Sequence, residues 1–341
     1  MKSGMRSCKS FRGGMGRLIA CAALAVSIGF FPGVAAAQSA SQQSTPPAHN
    51  TMVRKTSIVP MAEETFPSAG DAAEALVSAV QNDDQPALLK ILGPEAKEVI
   101  TSGDAAEDKD NRAEFVQKYQ EMHRLVTERD GSTTLYIGAE NWPTPIPLRH
   151  NPRGWYFDTA AGKQEILYRR IGKNELAAIT VCRELVDAQK EYYGQPHDGA
   201  GDRQYARKFV SDAGTHDGLF WTPAPGEPDS PVGPLLAFAA SEGAAKDPDH
   251  ETQPFEGYYF RVLTAQGPNA PGGARNYVED GKMTRGFAFI AYPAEYRSSG
   301  VMTFIVNQDG VVYEKDLGPR TAEIAKSMAR YDRDSSWRKS D

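Results

Sequence analysis

The stretch SSGVMTFIVNQDGVVYEKDLG, Ser298–Gly318, decides the fold of the C-terminal half. Val301, Thr303 and Ile305 alternate with Met302, Phe304 and Val306. That period of two predicts a strand with one face half buried. Asn307-Gln308-Asp309-Gly310 then predicts a type I turn, with Gly310 supplying the left-handed position of a bulge. Val311-Val312-Tyr313 returns as the partner strand. This turn chemistry makes Asp309 the corner of a hairpin rather than a catalytic carboxylate.

Upstream, GYYFRVLTAQG and GFAFIAYPAEY read as two more strands. Ahead of them lies a helix, NELAAITVCRELVDAQKEYY, from Asn174 to Tyr193. Asn174 is its expected cap, and Leu176, Ile179, Cys182, Leu185, Val186 and Tyr193 its expected buried stripe. Gly194 and Pro196 end it. A short helical patch is expected near Tyr205–Val210, another in PLLAFAASEG, and a last helix or arm in RTAEIAKSMARYDRDSSW. The aromatics of GLFW, GYYF and GFAF read as core or cross-strand pairs.

The preceding region reads as helices followed by strands. SAGDAAEALVSAVQNDD is a helix capped by Ser68 or Asp71, with Ala72, Leu76, Ala79 and Val80 on one face. Pro86 begins a second helix, which Gly93–Pro94 ends. A third is expected from Asn111 to Leu125, with Phe115, Tyr119, Met122 and Leu125 on its stripe and His123 beside it. STTLYIGA, IPLRH and GWYFDTA read as short strands punctuated by prolines. Both halves are therefore α+β. The expected division is a signal peptide at 1–37, a flexible segment at 38–65, an α+β domain at 66–172 and a second α+β domain at 173–341.

Five cations, Lys2, Arg6, Lys9, Arg12 and Arg17, precede the apolar run Leu18–Phe31, and Ala35 and Ala37 follow it. This order predicts a secretory signal peptide, and the run is short of the roughly 20 residues that span a bilayer. Cutting after Ala37 removes five positive charges and no negative ones, which takes the formal charge from −6 to about −11. An acidic chain lacks the basic face that nucleic acid requires. Cys8 and Cys21 leave with the signal, so Cys182 remains alone, expected as a buried small hydrophobe.

Chemistry-bearing patterns are sparse. HDG occurs at His197–Gly199 and at His216–Gly218. His197, Asp198, Asp202, His216 and Asp217 are the candidate binding residues, because histidine with aspartate serves divalent metals and proton transfer. Asp-Gly is first a turn signal. HExxH, paired CxxC, calcium-loop spacing, GxSxG and a phosphate loop are all missing from the sequence. No metal or other cofactor is expected.

The stretches TFPSAGDAAEALVSAV, RGWYFDTAAGKQEILYRRIGKNELAAI, YARKFVSDAGTHDGLFW, GYYFRVLTAQGPNAPGG and YDRDSSW resemble the exported bacterial family catalogued as domain of unknown function 2950. The resemblance implies an exported Gram-negative protein, periplasmic or secreted, and no activity. The element order over 66–170 resembles the helix-and-cone-sheet domains of the nuclear-transport-factor-two-like kind. From Asn174 to Gly318, the helix, QYARKF, GYYFRV and AYPAEYRSSGVMTFIVNQDGVVYE look like the globular head of type IV pilins and pseudopilins. The long apolar N-terminal helix of a pilin is missing, so what that likeness implies is a head suited to contact. The expected function is binding, to an envelope protein or a cell-surface component, with no transmembrane segment after signal cleavage. The alternatives are an exported hydrolase or ligand-processing enzyme, using the His/Asp loop or a cone-domain pocket, and an accessory factor of a pilus or secretion system.

Overall fold

The computed structural model describes residues 63–197, 201–227, 229–238 and 253–340. The expected signal peptide and most of the expected flexible segment lie outside them. The chain divides into two compact units between Ile166 and Leu167, and both combine helices with antiparallel sheet.

In the first unit, Ser68 caps α1 (Ala69–Gln81), its Oγ accepting from the Asp71 amide at 3.1 Å. Asp84 caps α2 (Gln85–Leu92), with Pro86 in the first turn. After a 3-10 turn at Pro94–Ala96 come α3 (Lys97–Ile100) and α4 (Ala105–Glu121). Asp104 caps α4 by accepting from the amides of Ala106 and Glu107. The helix expected from Asn111 to Leu125 thus starts earlier and ends at Glu121. Met122 is extended, and Gly138 N donates to the carbonyls of Lys118 and Met122 across the helix end. The next residues form β1 (His123–Thr127), in register with β2 (Thr133–Ile137), Leu125 opposite Leu135. Cross-strand pairing has overridden a helical spacing that ran only as far as Leu125.

The sheet continues through β3 (Trp142–Pro143), β4 (Leu148–Asn151) and β5 (Gly154–Phe157), in the order β1-β2-β4-β5 with β3 on β2. Leu88, Ile91, Leu92, Val99, Leu148 and Phe157 form the core between helices and sheet. Thr159 begins α5 (Thr159–Tyr193) and donates to Leu92 O at 2.6 Å. This helix is 35 residues long. It overrides the expected start at Asn174, which instead lies in mid-helix and donates to Ser299 O at 2.9 Å. Leu176, expected in the buried stripe, is 67% exposed. Among the described residues no helix is long and apolar enough to cross a membrane.

The second unit takes the rest of α5. β6 (Lys208–Val210) pairs in parallel with β7 (Gly218–Phe220), so the patch expected as helix near Tyr205–Val210 is partly strand. After α6 (Pro234–Phe238) comes β8 (Tyr258–Leu263). Two ribbons follow, β9 (Ala265–Gln266) with β10 (Arg275–Asn276) and β11 (Val278–Glu279) with β12 (Lys282–Met283). Then come β13 (Ala288–Pro293), β14 (Met302–Asn307), β15 (Tyr313–Asp316), α7 (Thr321–Ser327) and β16 (Arg338–Lys339). The five-stranded antiparallel sheet runs β16-β15-β14-β13-β8.

The turn forms as its chemistry predicts, but the return strand starts later than expected: Ile305 pairs with Tyr313, and Val311 and Val312 belong to the loop before β15. Gly310 N donates to Asn307 O at 2.9 Å, Asp309 N to Asn307 Oδ1 at 3.2 Å, and Gly310 has φ 75°. The burial differs from expectation, because Thr303, Phe304, Ile305 and Val306 are all fully buried. β14 is the middle strand of its sheet and is covered on both faces. Phe260 and Phe304 share a core with Val181, Cys182 and Leu185 of α5. From β8, Arg261 donates to the carbonyls of Ala325 and Met328 at the end of α7. Gly310→Val, which forces a β-branched residue to positive φ, is expected to cost roughly 1–2 kcal/mol. Asp309→Asn keeps the corner and is expected to change stability by under about 0.5 kcal/mol. Denaturant titration of both variants checks the pair.

Candidate ligand-binding site

The expected loop residues are placed in three settings. His197 stacks on Tyr192 with ring centroids 3.9 Å apart and lies 5.8 Å from the Trp221 ring. Its Nε2 is 2.9 Å from Tyr192 O, which fixes that nitrogen as the donor. His216 meets the same Trp221 edge-on at 4.8 Å, with Glu227 Oε2 3.8 Å from its Nε2. The two histidines are thus brought together on a tryptophan. Asp217 instead joins Lys208 at 2.6 Å. Burial works against its ionisation, but hydrogen bonds from Lys208, Asp212 N and Thr215 hold it below the usual carboxylate range. Asp202 pairs with Lys282 at 2.7 Å, whose hydrogen bond lowers it likewise. Asp198 lies outside the described residues. Among the described residues no cluster of three or more His, Cys, Asp or Glu side chains could hold a metal. Cys182 is fully buried, and burial pushes its thiol up to about 12, so it is no nucleophile.

A better-formed site lies inside the first unit. A cavity of about 110 Å³ sits among α1, α2, α3, α4 and the loop after β3. Leu76, Val80, Leu88, Leu92, Val99 and Phe157 give it an apolar wall. Its polar edge comes from α4, where Asp108, Asn111, Arg112 and Phe115 all line it. That spacing, i, i+3, i+4, i+7, puts the four on one side of a helix.

The polar edge is unevenly satisfied. Asp108 Oδ1 accepts from Ser102 N at 2.7 Å. Arg112 Nε is 2.9 Å from Asp83 Oδ1. Arg112 Nη1 and Asn111 Nδ2 are buried and have no hydrogen-bond partner among the described residues. A buried donor left unmade costs roughly 1–3 kcal/mol. Neither nitrogen is open to a water-sized molecule, so both are enclosed within the wall rather than presented to the cavity, whose surface is apolar.

The cavity depends on a close approach. A Cβ at Gly162, in the first turns of α5, would lie 2.6 Å from Ile146 Cγ1 and 3.0 Å from its Cα. Ile146 lines the cavity. Glycine at 162 therefore lets α5 lie directly against that wall.

Residues 63–340 match the family model described as Protein of unknown function (DUF2950). The chain belongs to this family. No curated protein and no solved structure matches it. In this DUF2950 chain, sequence reasoning missed Asn111 and Arg112 by starting the third helix at Asn111. With the start at Ala105, the spacing from Asp108 to Phe115 becomes a helical stripe with three polar members. Polar residues on an otherwise core-facing stripe were the available signal.

Proposed function

We propose that this protein is an exported, non-enzymatic binding protein whose first unit holds a small apolar molecule. The observation that carries the reading is the apolar cavity walled by Leu76, Val80, Leu88, Leu92, Val99 and Phe157. Its size is close to that of the roughly 150 Å³ cavities that accept a benzene-sized guest. Export to the periplasm or beyond is supported by the charged, apolar and small-residue order of residues 2–37. The second unit serves as a contact surface in this reading. Support for its pilin-head likeness comes from element order, a long helix and then an antiparallel sheet with a hairpin at its centre.

Binding is tested with toluene as an apolar probe. Saturating toluene is expected to raise the melting temperature of the wild type by a few degrees, through mass action on the folded state. Val80→Phe places a ring at the cavity wall and is expected to abolish that rise. An equal rise in both proteins, or none in the wild type, would contradict the reading.

A further inference from the structure

The sheet of the first unit has an open edge whose two ends complement each other. We infer that β1 pairs with β1 of a second copy of this chain, antiparallel and centred on Leu125, so that two first-unit sheets join into one.

The ladder with β2 decides which backbone groups are available. Glu128 N donates to Ser132 O at 2.8 Å and Gly138 N to Met122 O at 2.9 Å, one bond at each end of the pairing. Alternation between these ends turns the N–H and C=O groups of Arg124 and Val126 toward β2. Those of His123, Leu125 and Thr127 therefore point outward, and all of these residues are exposed. β1 is the terminal strand of its sheet, and among the described residues no other strand pairs with it.

Such an edge is ordinarily guarded by proline, lysine or a bulge. The strand HRLVT contains neither residue, and its register with β2 is unbroken. Its basic side chains are turned aside. His123 stacks on Tyr119 of α4, with ring centroids 3.9 Å apart, and its Nδ1 donates to Tyr119 O. Arg124 lies over the Tyr136 ring, and its Nε donates to Asn141 Oδ1 at 2.8 Å. Leu125 is 36% exposed, on the same sheet face as its buried neighbour Leu135.

Symmetry and charge favour a second copy over an unrelated strand. A two-fold axis at Leu125 sets that residue against Leu125 of the second copy and His123 against Thr127 of the second copy. Every outward N–H then meets an outward C=O, and the buried face of the sheet runs on through the two leucines. The same register brings Glu121, the last residue of α4, level with Arg129 of the second copy, and does so at both ends of the pairing. Both residues are exposed, and neither is held in an ion pair among the described residues.

Sedimentation velocity of the full-length protein over a concentration series tests the pairing. The wild type is expected to show a reversible monomer–dimer equilibrium. Thr127→Pro removes an outward N–H that β2 does not use, so it is expected to keep the fold, checked by circular dichroism, and to weaken the dimer at least about tenfold. Thr127→Val keeps that N–H and is expected to dimerise as the wild type does. Arg129→Glu sets like charges together at both ends and is expected to weaken the dimer about three- to tenfold. Adding Glu121→Arg to it exchanges the two charges and is expected to restore the dimer, a result that decides the matter even where proline disturbs folding. A monomeric wild type would overturn the proposal and assign the edge to some other strand. A folded Thr127→Pro that dimerises like the wild type would overturn it too. A dimer that Arg129→Glu leaves unchanged, or that the double exchange fails to restore, would overturn the register.

Discussion

Phe304→Ala is expected to destabilise the second unit by about 3–5 kcal/mol, the range for deleting a fully buried phenylalanine. Phe304 is completely buried in the middle strand of the five-stranded sheet. Its ring centroid is 5.8 Å from that of Tyr258, and it shares a core with the inner face of α5. Neighbouring strands hold it on both sides, opposite Ala291 and Glu314. The cavity left by truncation has little freedom to collapse, which places the cost high in the range. Urea unfolding followed by near-ultraviolet circular dichroism measures it. A loss under about 1 kcal/mol would mean that the site relaxes far more than this packing allows.

Gly300→Ala is the second large effect, expected to cost roughly 3 kcal/mol or more through overpacking. A Cβ at 300 would lie 2.2 Å from Tyr258 Oη and 2.6 Å from its Cζ. A flexible side chain could swing away, but Tyr258 is fully buried and donates to Met302 O at 2.9 Å. Moving the ring would leave its hydroxyl without that acceptor and disturb Phe304 beside it. The loop itself is also fixed, since Glu175 Oε1 accepts from the amides of Val301 and Met302 at 2.9 and 3.0 Å. The companion variant Gly300→Ala with Tyr258→Phe removes the oxygen nearest the new methyl. It is expected to recover part of the loss, and thermal unfolding of both proteins shows whether it does.

The hairpin was legible because its turn is local chemistry: Asn307 accepts from Asp309 N and Gly310 adopts positive φ, as the four residues predict. Burial of β14 on both faces was visible only in retrospect. The run Val301–Val306 is apolar at nearly every position, the mark of a strand covered on both sides, and counting it as alternation hid that. The continuity of α5 was obscured by Gly172 and Asn174, which together look like a break and a cap. A single helical glycine costs only about 1 kcal/mol. The long-range bond from Asn174 to Ser299 O supplies a different reason for the asparagine. The site was least legible of all. Its apolar walls come from residues that any core would contain, and which of them surround an opening depends on tertiary placement.

The most direct test of the central claim is to locate a bound probe. Methyl-labelled protein with saturating toluene is expected to show intermolecular nuclear Overhauser effects to Leu76, Leu88, Leu92 and Val99. Effects confined to the second unit, or shifts with no contact to the methyl groups of those four residues, would contradict a binding cavity in the first.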